Sequence, residues 1–191
     1  MGIADPSKRL EAIPPYKFQE LEQQIAEKRA AGVDVISLGI GDPDLPTYPH
    51  VVAAMQEAVA DPAYHQYPSN RGHERFRQAF ADFYRRRFDV EIDPAGEVIP
   101  AIGAKECIDN LCFAFLDHGG VALASDPGYP VYTGGPILAG ARAELLPLVP
   151  ELGFAPDLTA VPADAAARAR LMFINYPNNP TGAVVPEGFF D

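Results

Sequence analysis

The sequence predicts an α/β fold: a mainly parallel sheet with helices on both faces, preceded by an N-terminal arm. Three observations carry this. From residue 98 onward short apolar runs alternate with helix-like segments, the rhythm of strand–helix–strand units joined by right-handed crossovers. Gly, Asp or Pro follows nearly every apolar run, so the loops at one edge of the sheet are tight and polar. Before residue 98 the chain reads mainly as amphipathic helices, each with an apolar stripe to bury.

Taken in order, residues 18–31 read as an amphipathic helix with Phe18, Leu21, Ile25 and Ala26 on one face and Gly32 as its stop. Residues 35–38 (Val-Ile-Ser-Leu) read as a short strand. Residues 49–59 look helical, with Pro49 in the first turn. Residues 72–88 form a stronger helix, because Phe76, Phe80, Phe83, Tyr84 and Phe88 recur at helical spacing. Strands are expected at 98–102, 121–125, 144–148 and 171–175, and helices at 104–116 and 131–138. The alanine-rich stretch 163–169 reads as a surface helix or loop.

Composition narrows the function classes. In 191 residues, 48% are hydrophobic and 21% charged, the profile of a soluble globular protein. A formal net charge of −11 argues against nucleic acid or an anionic membrane as partner. The basic cluster Arg85-Arg86-Arg87 ends a predicted helix, where cations favour the dipole. No apolar run approaches the ~20 residues that span a bilayer, and the N-terminus has no apolar core of a signal peptide. Cys107 and Cys112 share one predicted helix and read as buried free thiols, which suits a reducing cytoplasm. The four histidines match no metal-ligand spacing. Gly39-Ile40-Gly41-Asp42-Pro43 has two glycines of a dinucleotide fingerprint but lacks the third and opens no helix; neither a Walker A loop nor a Gly-x-Ser-x-Gly elbow is present.

Four loops hold chemistry. Ile102-Gly103-Ala104-Lys105-Glu106 joins a predicted strand to a helix start, where free N–H groups and the dipole favour an anion and Lys105 adds a cation; an ordinary strand-to-helix turn has the same sequence look. Asp126-Pro127-Gly128-Tyr129-Pro130 fixes a Tyr between Gly and Pro at the next strand's carboxyl end, where its ring face is available for stacking or for plain packing. Phe173-Ile174-Asn175-Tyr176-Pro177-Asn178-Asn179-Pro180-Thr181-Gly182 is a strand running into a rigid loop with carboxamides, and Asn179-Pro180 is a candidate cis peptide. Tyr64 and Tyr67, in Tyr64-His65-Gln66-Tyr67-Pro68, supply hydroxyls within reach of a phosphate, or simply surface packing. In open α/β sheets ligands bind outside the carboxyl ends of the strands, where three of these loops are expected.

The Asn-Asn-Pro-Thr-Gly block resembles the signature of class I and II aminotransferases that use pyridoxal phosphate. The resemblance extends over nearly the whole chain. It takes in Ile13-Pro14-Pro15-Tyr16, the stretch 32–44, His65-Gln66-Tyr67, and the 102–106 and 126–132 loops. The similarity is strongest to the LL-diaminopimelate aminotransferase branch. It implies a partial fold-type-I architecture: an arm over 1–45, belonging in part to a small domain, and over 46–191 the N-terminal part of the large domain that binds pyridoxal 5'-phosphate.

The resemblance also implies roles. The backbones of Ala104 and Lys105 hold the phosphate, Tyr129 stacks on the pyridine ring, and Asn179 hydrogen-bonds its phenolic oxygen. Tyr67 reaches the phosphate of a neighbouring subunit in a homodimer, and Tyr16 and Gly41 line the pocket for a small amino acid and a 2-oxo acid. Two positions depart from that branch: Ala104 where Ser is common and Cys107 where Gly is common. The expected activity is transfer of an amino group from LL-diaminopimelate or an aspartate-like amino acid. The lysine that forms a Schiff base with the cofactor matches none of Lys8, Lys17, Lys28 and Lys105, so the chain is expected to be the N-terminal half, with no catalytic residue of its own and no turnover alone. The alternatives are another fold-type-I enzyme, of the carbon–sulfur lyase or cyclopropane-carboxylate synthase type, and a non-catalytic, partner-binding remnant.

Overall fold

A computed structural model describes residues 5–15, 17–39, 41 and 43–190. Helices α1 (Lys8–Glu11), α2 (Lys17–Ala30), α3 (Pro49–Ala60), α4 (Glu74–Phe88) and α5 (Ala104–Phe115) precede the first strand. Then come β1 (Val121–Asp126), α6 (Val131–Leu138), β2 (Arg142–Pro147), α7 (Ala163–Arg168) and β3 (Ala169–Phe173). The described residues up to Pro14 join those from Ala101 onward in one compact unit, and Pro15–Pro100 form a second.

Among the described residues the sheet has three strands in the order β2-β1-β3, both pairs parallel. Its centre is β1, Val-Ala-Leu-Ala-Ser-Asp, buried along its first five residues. A strand covered on both faces reads as a continuous apolar run, and this one does. Ala122 and Ala124 point to a core with Cys112 and Leu116 from α5 and its C-cap, Val131 and Tyr132 of α6, and Phe173 of β3. Val121 and Leu123 point the other way, to Leu146 and to Ala165 of α7. So α5 and α6 cover one face and α7 the other, the fold class read from the sequence.

The order has a consequence for ligands. The crossover through α6 carries the chain from β1 to β2 on one side, and the crossover through α7 returns it past β1 to β3 on the other. Where winding reverses in this way, the carboxyl ends of the two adjacent strands open a crevice. The loops that follow β1 and β3 are the ones carrying Tyr129 and Asn179.

Local chemistry explains most boundaries. Helix α2 stops as expected: Gly32 takes φ 81°, and Val33 N–H returns to Lys28 O at 3.0 Å. Helix α4 starts at a His73 cap that accepts from Arg75 N–H at 3.2 Å, and its last turn holds Arg85, Arg86 and Arg87 against the dipole. Arg85 also pairs with Asp82 at 2.6 Å.

Three expectations need correction. Residues 35–38 and 98–102 are not strands. Apolar, β-branched sequence makes a strand only where a neighbour offers a ladder, and no described strand pairs with either segment. Several of their side chains stand in solvent instead: Ile36 is 86% exposed, Leu38 95% and Ile102 94%. The stretch 163–169 is not merely superficial, because Ala165 of α7 is fully buried in the second core.

Candidate functional site

The start of α5 is built around Gly103, whose φ of 86° and ψ of 159° suit only glycine, and no side chain caps the helix. Ala104 and Lys105 are exposed in its first turn, and among the described residues no side chain accepts from its leading N–H groups. Glu106 reaches back to accept from Ile102 N–H at 2.5 Å, which fixes the entry to the helix.

Lys105 Nζ lies 5.5 Å from the centre of the Tyr129 ring. That pairing joins the helix start to the loop after β1. The loop needs Gly128: a Cβ there would sit 2.1 Å from Ser125 O, against backbone that cannot yield. Tyr129 is half-buried, edge-on to Tyr132 at 5.9 Å, and Tyr132 stacks on Phe173 at 5.2 Å with planes 5° apart. Two rings, Tyr132 and through it Phe173, thus anchor Tyr129 to the core. Burial, with Tyr129 nearby, raises the Tyr132 phenol above its usual range.

Below Lys105, burial raises the Asp109 carboxyl against the opposing pull of the Lys105 ammonium. Burial, with help from Asp109, pushes the Cys112 thiol up to about 11. Both cysteines are free thiols, Cys112 buried and Cys107 half-buried. Helices α5 and α6 meet closely here, since a Cβ on Gly135 would lie 2.9 Å from both Asp109 Oδ1 and Cys112 Sγ.

Asn179 is exposed, and its N–H is held by Asn175 Oδ1 at 3.1 Å. The Asn179-Pro180 bond is cis, as expected, and so are Asp126-Pro127 and Tyr176-Pro177. Asn178, which the sequence reading passed over in favour of its neighbour, is the buried one at 3% exposure. Its Nδ2 donates to Thr181 Oγ1 at 2.9 Å and to Pro127 O at 3.4 Å. Ser125, also missed, is buried and donates from Oγ to Phe173 O at 3.1 Å, tying β1 to β3. The signal available was that a loop with successive carboxamides seldom exposes them all equally.

Ala104, Lys105, Tyr129 and Asn179 therefore belong to one unit. Gly41 and Tyr67 belong to the other; both are exposed, and Tyr67 lines an open cleft with Tyr64, His73 and Arg75. Within that cleft Arg75 Nη1 donates to Tyr64 Oη at 3.0 Å. Tyr16 lies outside the described residues. Among the described residues no group of His, Cys, Asp or Glu is placed to hold a metal, and no helix is long and apolar enough to cross a membrane.

The family model for aminotransferase class I and II matches residues 33–190. The chain belongs to that family. Among curated relatives, this chain is 56% identical to the LL-diaminopimelate aminotransferase of Desulforudis audaxviator and 50% identical to that of Moorella thermoacetica, in each case over 96% of the chain and 47% of the relative. Among solved structures, it aligns with apo BacF of Bacillus subtilis at 38% identity and a TM-score of 0.89, covering 96% of the chain and 47% of that protein. It aligns with a Thermus thermophilus aspartate aminotransferase double mutant at 32% identity and 0.85, covering 96% and 48%. The chain thus spans about half the length of the curated relatives it matches.

Proposed function

We propose that this chain supplies the cofactor-holding loops of an aminotransferase that uses pyridoxal 5'-phosphate and takes LL-diaminopimelate, or an amino acid like it, as donor to a 2-oxo acid. The observation that carries the reading is the meeting of an uncapped helix start, an anchored ring and a carboxamide loop in one unit, at the switch point of a parallel sheet. The donor set fits the group: N–H groups and a cation for phosphate, a ring for the pyridine and a carboxamide for a phenolic oxygen. The cofactor's contribution is an aldehyde carbon that takes up an amino group and a pyridine ring that spreads the negative charge left when a proton departs.

The chain's own residues bind and orient. The N–H groups of Ala104 and Lys105 hold the phosphate; Ala104, lacking a hydroxyl, gives one contact fewer than a Ser would. Tyr129 covers one face of the ring and keeps water from it. Asn179 donates from its carboxamide to the ring's phenolic oxygen, with its backbone steadied by Asn175. Tyr67 serves the phosphate site of a second subunit in a homodimer, and Tyr16 and Gly41 line the substrate pocket. In the whole protein, residues 1–45 form an arm and 46–191 the first part of the cofactor-binding domain. Two free thiols support a cytoplasmic setting.

Equilibrium dialysis of the chain against pyridoxal phosphate, pyridoxal and inorganic phosphate tests the reading. Saturable binding of pyridoxal phosphate, competed by phosphate and much weaker for pyridoxal, is expected. Equal affinity for the two pyridoxal forms would overturn the phosphate assignment.

A further inference from the structure

Asn179 is useful to a ring only if its loop keeps a fixed distance from the loop that presents Tyr129. Those loops follow different strands and are far apart in sequence. One carboxamide crosses between them. Asn178 Nδ2 donates to Thr181 Oγ1 within its own loop and to Pro127 O in the other, two residues before Tyr129. Its backbone is engaged as well: Asn178 N–H donates to Ala183 O at 2.8 Å, and its carbonyl accepts from Gly182 N–H at 2.7 Å. With the main chain fixed on both sides and the side chain buried at 3% exposure, the carboxamide has little freedom to turn away. The receiving loop is equally constrained, since Gly128 sits so close to Ser125 O that even a Cβ could not be added.

We infer that Asn178 is a positioning residue that ties the Asn179 loop to the Tyr129 loop and so sets the spacing between carboxamide and stacking ring. The inference rests on the cofactor reading for its consequence, but the tie itself does not. Among the described residues, the hydrogen bonds of Asn178 reach Pro127, Thr181, Gly182 and Ala183 and none reaches the α5 start, so its loss should impair ligands that carry a ring and spare those that carry phosphate alone.

The test uses the 191-residue chain with Asn178→Ala and with Asn178→Asp, which keeps the volume and removes both donors. In the ligand-free chain, hydrogen exchange of the Tyr132 amide, which donates to Tyr129 O at 2.9 Å, should quicken in both variants, along with that of Gly182. Affinity for pyridoxal phosphate should fall roughly five- to tenfold, the loss of about one hydrogen bond, while affinity for inorganic phosphate stays unchanged. Faster exchange confined to residues 178–183, unchanged pyridoxal phosphate affinity, or an equal fall for both ligands would each overturn the inference. If the wild-type chain binds no pyridoxal phosphate, the cofactor reading falls, and the exchange of the Tyr132 amide still decides whether the tie exists.

Discussion

The segment from Ala101 onward and the segment Pro15–Pro100 use apolar residues in opposite ways. The first builds cores on both faces of β1, with Val121, Ala122 and Ala124 fully buried. In the second, Ala81 is the one described residue that is buried, while Leu38 is 95% exposed and Tyr67 stands fully in solvent. Loops rooted in a two-sided core inherit its rigidity, because packed side chains have few alternative arrangements. Tyr129 and Asn179 gain this from β1 and β3; Gly41 and Tyr67 have no comparable support within their own unit.

Leucine truncations give the largest expected contrast. Leu146→Ala, at a site 2% exposed, should cost about 2–5 kcal/mol in denaturant unfolding. Leu38→Ala should change stability by less than about 0.5 kcal/mol. Similar costs at both positions would erase the contrast. A smaller effect is expected at the α5–α6 contact. Gly135→Ala places a methyl 2.9 Å from Asp109 Oδ1 and Cys112 Sγ and should cost about 1–3 kcal/mol, read the same way; a neutral result would mean the helices can part freely.

The Cys112 thiol gives a pH test of the same core. Below about pH 9 it is protonated in both folded and unfolded chains and favours neither. Between its ordinary value of 9.0 and about 11 the unfolded chain ionises first, so stability falls as pH rises through that window, by on the order of 1–2 kcal/mol. Cys112→Ala should flatten the slope between pH 8 and 10.5, and an unaltered slope would assign the loss to other groups. The smallest effect concerns Lys105. With its four lysines carrying 13C-methyl labels, the Lys105 signal should be shifted upfield by the Tyr129 ring, with the shift kept in Tyr129→Phe and lost in Tyr129→Leu. A Lys105 signal at the position of a solvent-exposed lysine would dissolve the pairing, which is worth about 0.5–1 kcal/mol.

The same contrast explains what the sequence could disclose. Helices α2 to α6 and the three strands announce themselves through local periodicity and Gly or Pro punctuation, to within a few residues. Residues 35–38 and 98–102 misled because a strand needs a partner that lies elsewhere, and composition cannot supply one. Ala165 was hidden because an alanine tract shows no apolar contrast to reveal its inner face. At the site, Gly103, Tyr129 and Asn179 stood out through their turn residues. Asn178 did not, because only burial separates it from Asn179, and the approach of Lys105 to Tyr129 is a tertiary fact.

The central claim is that the loops after β1 and β3 hold a ring between an anchored tyrosine and a carboxamide. Its most direct test is the affinity of the chain for pyridoxal phosphate when Tyr129 is changed to Ala and to Phe. The account predicts a clear loss with Ala, about 0.5–1.5 kcal/mol beyond the lost area, and near wild-type binding with Phe. Unchanged affinity in Tyr129→Ala would contradict it.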